Sequence, residues 1–349
     1  MNQNGMRGIS AALAAALLFG ASTPLAKMLL DHANPWLLAA LLYLGSGIGL
    51  FLMRYLWRMP SIDLAPGERG WLAGAVLAGG VIAPVLLMLG LSRMPASGAS
   101  LLLNAEGVLT AVLAWFVFHE HFDRRIALGM AAIVAGALVL TWPGEAQFAG
   151  SQAALLVLGA CLAWAIDNNL TRKVSLADAS FIAMVKGLAA GSTNLILALT
   201  LDTAWPAPSI VVGALALGFA SYGASLTLFV VALRYLGTAR TGAYFSVAPF
   251  FGASLAILLL GEAVTPELLL AGALMLFGVW LHLTERHEHA HEHQAESHEH
   301  VHTHGEDPHH DHPHNEFVAP GTQHSHWHVH VPLTHSHAHF PDMHHSHRH

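Results

Sequence analysis

The C-terminal part of the chain is dominated by histidine, a residue that binds metal ions and takes up protons near neutral pH. The sequence contains 27 histidines, and only His32, His119, His121 and His282 precede residue 285. Most of the others recur at every second position, a period that places side chains on one face of an extended chain. Because neutral imidazole binds nickel, cobalt, zinc and copper ions, this spacing predicts a metal-binding segment. The predicted ligands are His287, His289, His291, His293, His298, His300, His302, His304, His324, His326, His328, His330, His335, His337 and His339.

Two other interpretations of these histidines stay open. The segment would also act as a polycation that responds to pH, since histidine changes its charge near pH 6.5. It would alternatively be a low-complexity extension without a selected ligand. The segment contains too few apolar residues to bury a core, so we expect residues 285–349 to be disordered.

Glu106 lies near the middle of a long apolar segment, residues 96–118. An ionisable side chain at bilayer depth is costly and is by default a candidate for an ion or substrate pathway. Alternation of Glu106 between its charged and neutral forms would couple the movement of a solute to protons. The alternative is a neutral glutamic acid that is hydrogen-bonded to a carbonyl of a neighbouring helix.

A second polar cluster joins the end of one apolar segment to the start of the next. Asp167, Asn168 and Asn169 close the first of them, and Lys186 lies less than two turns into the second. A pair between Asp167 and Lys186, with Asn194 deeper, would form a polar mouth leading to the membrane midplane. The alternative is that Lys186 extends to the membrane surface while the asparagines cap a helix end. The predicted pathway also includes Asn104, Tyr222 and Tyr244.

The elements that position these side chains are predicted to be membrane-spanning helices. Of 349 residues, 54% are hydrophobic and 11% are charged, against roughly 25% charged residues in soluble domains. A helix needs about 20 apolar residues to cross a bilayer, where only a helix satisfies its own backbone hydrogen bonds. The sequence therefore predicts an all-α membrane protein with ten transmembrane helices, at residues 8–30, 35–57, 71–91, 96–118, 125–142, 152–171, 180–201, 209–232, 240–260 and 264–283.

Helix breaks at middle depth are predicted at Pro24, Pro84, Gly107 and Pro249, since such breaks are tolerated where the freed backbone lines a cavity. Cys161 is the one cysteine, so the chain forms no intrachain disulfide. The segment HEH at 119–121 departs from the HExxH zinc motif, and no nucleophile elbow or phosphate-binding loop is found. We therefore expect no enzyme activity, no required cofactor and no nucleic-acid partner.

The distribution of lysine and arginine predicts the orientation, because cytoplasmic loops carry an excess of both residues. With a cytoplasmic N-terminus, the opposite side of the membrane receives only Lys27 and Arg93. The cytoplasmic side receives Arg7, Arg54, Arg58, Arg69, Arg124, Arg125, Arg172, Lys173, Arg234, Arg240, Arg286 and Arg348. Both termini, and hence the histidine-rich tail, are predicted to lie in the cytoplasm of a bacterial cell with the protein in its inner membrane.

An internal repeat relates the two halves of the apolar region. The segment LLLNAEGVLTAVLAWFVFHE (101–120) aligns with AYFSVAPFFGASLAILLLGE (243–262), which sets Glu120 over Glu262. The same spacing sets Gly136 over Gly278. Because each half holds an odd number of predicted helices, the second half must run inverted, an arrangement that is typical of transporters. The predicted domains are residues 1–142, 143–284 and 285–349.

These features resemble the EamA-type drug/metabolite transporter superfamily. The resemblance rests on two five-helix halves, on an aromatic-small pair in the first helix of each half (Phe19-Gly20 and Trp164-Ala165), and on an acidic residue that ends a helix in each half (Glu120 and Glu262). Many relatives have Glu-Pro in the fourth helix, whereas this sequence has Glu106-Gly107 and places a proline at Pro249 in the second half.

The resemblance implies secondary transport of a small molecule across a lipid bilayer, with export favoured and a homodimer left open. The histidine-rich tail would deliver a transition metal to the transporter, sense that metal or buffer its concentration. A different class of function is a membrane-anchored metal buffer or sensor whose helices transport no metal. Neutralising Glu106 separates the two, because a buffer would keep all of its activity.

Overall fold

The computed structural model describes residues 3–59, 66–118, 124–141, 148–171, 174, 178–201, 204–283, 288–293, 296–303, 323–330 and 333–338. The chain divides into two compact units, a helical unit at Met1–Glu285 and a tail unit at Arg286–His349. The predicted ligands His287, His304 and His339, and the segment at 119–121, lie outside the described residues.

The first half of the helical unit contains α1 (Gln3–Gly20), α2 (Ser22–Leu30), α3 (Pro35–Leu56), α4 (Pro66–Ala75), the π-helical segment π1 (Val76–Ile82), α5 (Ala83–Leu91), α6 (Ala96–Leu102), α7 (Ala105–Phe118) and α8 (Arg124–Thr141). The second half contains α9 (Phe148–Thr171), α10 (Ala179–Thr200), α11 (Pro208–Gly218), the π-helical segment π2 (Phe219–Ala224), α12 (Ser225–Phe245), α13 (Ala248–Leu260) and α14 (Pro266–Leu283).

Among the described residues, seven helical stretches are long and apolar enough to cross a membrane. Three shorter apolar helices, Ala127–Thr141, Ala248–Leu260 and Pro266–Leu281, accompany them. Both the long and the short helices expose large apolar side chains on the surface of the protein. Leu155 of α9 is 65% exposed and Leu258 of α13 is 77% exposed. The prediction of a helical protein with several membrane-spanning segments is confirmed, and the count of ten stays a prediction.

Turn-forming residues determine where several of these helices begin. The Asn34 side chain accepts a hydrogen bond from the Trp36 amide at 2.9 Å and caps α3, whose first residue is Pro35. The Asp178 side chain caps α10 in the same way, by accepting from the amides of Ser180 and Phe181. A cap satisfies an amide that has no partner within its own helix, and proline is suited to the first turn because it has no amide hydrogen.

Three of the four residues predicted to break helices lie in the first turn after a helical irregularity. Pro24 follows the break at Ala21, Pro84 follows π1, and Pro249 follows a turn at residues 246–247. Proline lacks the amide hydrogen that a continuing helix requires, so the irregularity lies just before it. The prediction for Gly107 is wrong, because this residue lies inside α7.

The break in this part of the chain lies at residues 103–104 instead. The Asn104 side-chain amide donates to the Leu101 carbonyl at 2.9 Å, and the Asn104 backbone amide donates to the same carbonyl at 3.1 Å. A short polar side chain that bonds to the preceding turn competes with the helical pattern of hydrogen bonds. Asparagine therefore interrupts a helix that glycine, three residues later, does not.

The predicted start of the ninth apolar segment at residue 240 is also wrong. Helix α12 continues to Phe245, and the next helix begins at Ala248. The predicted loop, residues 233–239, contains one glycine, Gly237, and no proline, and a single glycine costs a helix only about 1 kcal/mol relative to alanine. The chain breaks where Pro249 requires it.

Helices at equivalent places in the two halves pack against each other across the unit. Helix α3 packs on α10 and α8 packs on α14, while α1 contacts α12 and α5 contacts α9. The aligned glycines lie in one of these interfaces: a Cβ added at Gly136 would lie 2.9 Å from the Ala271 carbonyl oxygen, and one at Gly278 would lie 2.5 Å from that of Gly129. The repeat predicted from the alignment therefore has a counterpart in helix packing.

The two π-helical segments also occupy equivalent places. At the spacing that sets Leu101 over Ala243, Gly79 of π1 corresponds to Ser221 of π2. The break at residues 103–104 likewise corresponds to the turn at 246–247 within one position. Because π-helical turns are uncommon and concentrate at functional sites, their recurrence points to the middle of both helices as the functional region.

The tail unit contains two antiparallel strand pairs among its described residues, and disorder of residues 285–349 as a whole stays a prediction. Strand β1 (Glu288–His293) pairs with β4 (Leu333–Ala338), and β2 (Glu296–Thr303) pairs with β3 (Gln323–His330). Strand pairing satisfies backbone hydrogen-bonding groups without requiring an apolar core. The register sets histidine opposite histidine at 289 and 337, 291 and 335, 298 and 328, 300 and 326, and 302 and 324.

Candidate functional site

A cavity of about 300 Å³ lies among α3, α10 and π2, and reaches the end of α9. Its volume is in the lower range of small-molecule sites. Most of its surface is apolar, and its polar groups are few. The polar residues that line it are Tyr43, Ser46, Thr171, Lys186 and Tyr222.

An ion pair borders this cavity. The Lys186 ammonium, which lines it, lies 2.6 Å from Oδ1 and 2.5 Å from Oδ2 of Asp167. The Asp167 side chain is 6% exposed and that of Lys186 is 18% exposed. The hydroxyl of Thr171, one turn along α9, donates to Asp167 Oδ1 at 2.8 Å. The predicted pairing of Asp167 with Lys186 is confirmed, and the alternative in which Lys186 extends to the membrane surface is wrong.

This pair is costly to separate, because each charge depends on the other for its compensation. Removing one partner of a buried pair leaves an unpaired charge, at a cost of about 3–5 kcal/mol. A mobile solute that carries charges of its own would supply replacement partners. The pair therefore provides an ammonium and a carboxylate at the wall of a cavity.

The backbone of π1 forms the other side of the pair. A Cβ added at Gly79 would overlap the Asp167 carboxylate, so the close approach of α9 to π1 requires glycine. The Gly79 carbonyl accepts hydrogen bonds from the Tyr43 hydroxyl at 2.7 Å and from Trp164 Nε1 at 2.9 Å. The Asn194 amide donates to the next carbonyl, that of Gly80, at 3.0 Å. A π-helical turn changes the backbone pairing, and three side chains bond to its carbonyls here.

The two cavity tyrosines are in contact with each other. The ring centroids of Tyr43 and Tyr222 are 5.7 Å apart, and Phe19 packs on Tyr222 with its ring centroid 6.0 Å away. Tilted and edge-on aromatic contacts of this kind fix ring positions, and the Tyr43 hydroxyl is bonded to the Gly79 carbonyl. The aromatic wall thus connects the first helix of one half to the ion pair of the other.

Glu106 contacts a different face of α9 from the one that carries the ion pair. Its Oε1 accepts a hydrogen bond from the Asn168 amide at 2.9 Å, and the same amide donates to the Thr110 hydroxyl at 3.2 Å. Asp167 and Asn168 are consecutive, so one turn of α9 carries the ion pair on one face and the Glu106 contact on another. Glu106 itself does not line the cavity.

The other predicted pathway residues divide between the cavity and its surroundings. Tyr222 lines the cavity, and Asn194 supports its π1 wall. Asn104 instead lies against α14, where its amide contacts Met275 Sδ at 3.9 Å. Tyr244 packs against a small apolar cluster formed by Ala11, Ala12 and Ala232. Asn104 and Tyr244 are therefore absent from the cavity wall that the structure describes.

Tyr43, Ser46 and Trp164 are site residues that the sequence analysis did not assign to the pathway. Tyr43 and Ser46 lie one turn apart in an otherwise apolar helix, so they share one face of α3. Two polar side chains at that spacing within a membrane segment are the signal that would have identified them. Trp164 was noted only for its resemblance to relatives, and its hydrogen bond to π1 gives it a structural role.

One end of the helical unit, which we name the Arg54 end, lies beside the cavity. Arg54 Nη1 lies 3.1 Å from Asp178 Oδ1 and 2.5 Å from the Ser180 hydroxyl, and its guanidinium lies over the Phe181 ring at 5.6 Å. Burial alone would raise the pKa of Asp178, but hydrogen bonds from Ser180 and Phe181 and the charge of Arg54 hold it below its ordinary value. The end of α3 is thereby joined to the start of α10.

Among the residues whose side chains are described, no group of three or more histidine, cysteine, aspartate or glutamate residues is placed to hold a metal ion. Cys161 is buried, and its thiol contacts the Leu102 carbonyl at 3.6 Å. The Asp167–Lys186 ion pair and Glu106 are therefore the candidate groups for binding a solute or a proton in the described helices.

Comparison with known proteins defines the class. The sequence model of the EamA-like transporter family matches residues 6–142 and again residues 151–284. The chain belongs to the EamA-like transporter family. It is an integral membrane protein, and its family indicates a transporter rather than an enzyme.

Individual relatives agree with this assignment. The chain is 29% identical over 292 residues to an "Uncharacterized transporter" of Methanothermobacter thermautotrophicus, with 78% of this chain and 85% of that protein covered. Over 85 residues it is 38% identical to a "Probable amino-acid metabolite efflux pump" of Salmonella typhimurium, which covers 23% of this chain and 27% of that protein.

Two further comparisons concern a shorter relative and a solved structure. The chain is 37% identical over 86 residues to a "Probable 4-amino-4-deoxy-L-arabinose-phosphoundecaprenol flippase subunit ArnE" of Pseudomonas fluorescens, covering 24% of this chain and 75% of that protein. A crystal structure with 18% identity superposes with a TM-score of 0.57, covering 81% of this chain and 99% of the other. That likeness concerns the fold alone.

Proposed function

We propose that this protein is a secondary transporter that exports a small zwitterionic metabolite, with an amine and a carboxylate, across the inner membrane. The observation that carries the proposal is the Lys186–Asp167 ion pair at the wall of an apolar cavity. A substrate carboxylate would bind Lys186 while its ammonium would bind Asp167, so neither protein charge would be left unpaired. The name of the Salmonella typhimurium relative supports this substrate class.

The proposed architecture has ten transmembrane helices in two inverted five-helix repeats, with both termini in the cytoplasm. The paired packing of α3 with α10 and of α8 with α14 supports the repeat. The excess of arginine and lysine in the loops that are predicted to be cytoplasmic supports the orientation. Under this topology the cavity lies towards the cytoplasm, which is the side from which an exporter takes up its substrate.

Proton coupling through Glu106 is the second part of the proposal. The Asn168 amide that donates to Glu106 lies next to Asp167 on α9, so a change at the ion pair reaches Glu106 through one helix turn. Loss of the Glu106 charge would weaken the hydrogen bond that this amide donates, because bonds to a charged acceptor are stronger than bonds to a neutral one. Substrate binding and proton binding would thereby be linked.

A counterflow experiment tests the transport proposal. Liposomes that contain the purified full chain and unlabelled leucine or threonine are diluted into the radiolabelled compound, alongside protein-free liposomes. We expect transient accumulation of at least one neutral amino acid, and none of the matched amine or carboxylic acid that lacks one of the two charges. Equal accumulation of the matched amine would contradict the zwitterion assignment, and no accumulation of any neutral amino acid would reject it.

For the tail we propose binding of nickel, cobalt, zinc or copper ions in the cytoplasm. The alternation of histidines and the strand register that sets histidine opposite histidine support this proposal. Calorimetry of the full chain is compared with that of residues 1–286 and of a chain whose tail histidines are replaced by serine. We expect metal-dependent heat for the full chain alone, and equal heat from all three proteins would exclude the tail as the binding site.

The alternative of a membrane-anchored metal buffer is distinguished in cells. Cells that lack the protein, carry the full chain or carry residues 1–286 are scored for growth and cell-associated metal across nickel, cobalt, zinc and copper concentrations. A buffer predicts an effect that follows the tail alone and survives Glu106→Gln. A transporter of a metal species predicts an effect that Glu106→Gln removes.

A further inference from the structure

The end of the helical unit opposite the Arg54 end contains a lysine that is bonded to a helix terminus. The Lys27 ammonium, near the end of α2, donates to the carbonyl oxygens of Leu91 at 2.6 Å and Met94 at 3.1 Å. Leu91 is the last residue of α5, where carbonyls lack partners within the helix and the dipole favours a cation. Lys27 therefore ties α2 to the end of α5.

A carboxylate at the same end makes the complementary contact. Glu262, which follows α13, accepts hydrogen bonds from the amides of Ala96 at 2.6 Å and Ser97 at 2.8 Å with its two oxygens. These amides open α6 and have no partner within that helix. Hydrogen bonds to an ionised carboxylate are stronger than those between neutral groups. Glu262 therefore ties the end of α13 to the start of α6.

Three of the four helices held by these contacts are short and begin or end at a break. Helix α2 begins after the break at Ala21, α6 ends at the break at residues 103–104, and α13 begins after the turn at 246–247. A helix that is interrupted in its hydrogen bonding bends more readily at that place than along its length. Each of these three helices is thus separated by a break from the helix that precedes or follows it.

The three short helices also pack tightly on one another. Helices α2, α6 and α13 contact one another, and a Cβ added at Gly252 of α13 would lie 2.7 Å from the carbonyl oxygen of Gly20, the last residue of α1, and 2.7 Å from the Ser100 hydroxyl. Ser100 of α6 is 1% exposed, and its hydroxyl has no hydrogen-bond partner among the residues that the structure describes. This end is closed by packing, whereas the Arg54 end lies beside a cavity.

We propose that Lys27 and Glu262 form a latch that holds α2, α5, α6 and α13 together and keeps this end of the transporter closed. The inference rests on the proposed transport function and names the residues that control access from the side opposite the cavity. Release of Glu262 from Ala96 and Ser97, with release of Lys27 from Leu91 and Met94, lets the short helices separate at their breaks. Ser100 then becomes accessible from that side.

Thiol labelling tests the latch without requiring a substrate. Cys161 is the one native cysteine, so Cys161→Ser gives a thiol-free background for Ser100→Cys. A membrane-impermeant maleimide is applied to each side in oriented vesicles. We expect Glu262→Gln and Lys27→Met each to raise the labelling rate from the Lys27 side about tenfold, because each change removes charge-assisted hydrogen bonds.

Matched controls come from the same end of the protein. Glu267→Gln removes an exposed carboxylate in the first turn of α14, and Arg93→Gln removes an exposed cation beside Met94. Both are expected to leave the labelling rate at the level of the unsubstituted background. Labelling of the latch variants at the control rate, in protein that is monodisperse in detergent, would overturn the proposal.

A second reporter is used where Ser100→Cys does not yield folded protein. Ser46 lines the cavity, and Ser46→Cys is labelled from the Arg54 side. We expect the same latch variants to lower this rate, since molecules that open at one end close at the other, and an unchanged rate contradicts the latch. A chain that shows no counterflow but keeps both labelling shifts would contradict the transport proposal alone.

Discussion

The two halves of the helical unit share their backbone irregularities and differ in their charged residues. Segment π1 of the first half corresponds to π2 of the second, and the break at residues 103–104 corresponds to the turn at 246–247. At the same spacing, however, Lys186 corresponds to Leu44 and Glu106 to Ala248, and with Phe19-Gly20 set over Trp164-Ala165, Asp167 corresponds to Ser22. Each charged site residue is therefore opposed by an uncharged residue in the other half.

The comparison separates two requirements. Alternating exposure of a site to the two sides of a membrane requires two similar sets of bending points, and repeated backbone features provide them. Recognition of a solute requires one arrangement of charges, and a charge repeated in both halves would add a second buried ion with its own desolvation cost. The two halves therefore share the backbone irregularities at which helices would bend, and they differ in the charged residues that would bind a solute.

The largest expected effect comes from removing one charge of the site. Lys186→Met leaves Asp167 buried without its partner, which costs about 3–5 kcal/mol of unfolding free energy, and it lowers counterflow about 100-fold through loss of a charged contact to the substrate. The matched change in the other half, Leu44→Met, exchanges apolar side chains of similar volume and costs less than about 1.5 kcal/mol. Thermal unfolding in detergent and counterflow in liposomes measure both, and equal effects at the two positions would contradict the asymmetry.

The second effect concerns Glu106 and is expected in transport rather than in stability. Glu106→Gln retains an oxygen that accepts from Asn168, so the unfolding free energy changes by about 1 kcal/mol or less. It removes the ionisable group, so uptake driven by a pH gradient stops while the protein still inserts into the membrane. Thr110→Val, which removes the other contact of the Asn168 amide, serves as the control and retains uptake. Normal gradient-driven uptake by Glu106→Gln would reject the proton-coupling role.

A third test compares equivalent positions in the two π-helical segments. Gly79→Ala places a methyl group where the Asp167 carboxylate lies, and overpacking of this kind costs about 1–3 kcal/mol. Ser221→Ala removes a buried hydroxyl without a partner among the described residues, so it changes stability by less than about 1 kcal/mol and favours the folded state. Unfolding midpoints of the two variants check the difference, and a tolerated Gly79→Ala would show that α9 is free to move away from π1.

The smallest effect lies at the Arg54 end and depends on pH. Because the pKa of Asp178 is held below its ordinary value of 3.8, the Arg54–Asp178 pair stabilises the folded state at pH values above 3.8. This contribution is lost as the pH falls through the lower value of the folded protein. Asp178→Asn should therefore lower the unfolding midpoint at pH 7 and have no effect at strongly acidic pH. A difference between the two proteins that is independent of pH would contradict the ion-pair assignment.

Much of the fold was predictable because bilayer hydrocarbon imposes a simple rule. A segment of about 20 apolar residues must be helical, since no other local structure satisfies its backbone groups there. That rule placed most helix ends within a few residues of those observed. It did not locate the break at residues 103–104, which depends on the side-chain hydrogen bond of Asn104, and it misplaced the start of α13.

The candidate site was predictable only in part. The Asp167–Lys186 pair followed from two costly charges that lie close in sequence, because each needs a partner at bilayer depth. The contributions of Tyr43, Ser46 and Gly79 depend on helices that are distant in sequence, and their residue types are ordinary in apolar segments. Asn104 and Tyr244 lie in apolar segments, as predicted, but Asn104 contacts α14 and Tyr244 packs against an alanine cluster, so neither lines the cavity.

The amino-acid sequence alone determined the membrane class, the apolar segments, the repeat and the charges that require partners, because each follows from the cost of placing polar groups in hydrocarbon. The tertiary structure decided which side chains share a cavity, that Glu106 and the ion pair lie on different faces of α9, and that Lys27 and Glu262 join short helices at the opposite end. Those features depend on how helices rotate and approach one another, which close packing of side chains determines and local sequence does not.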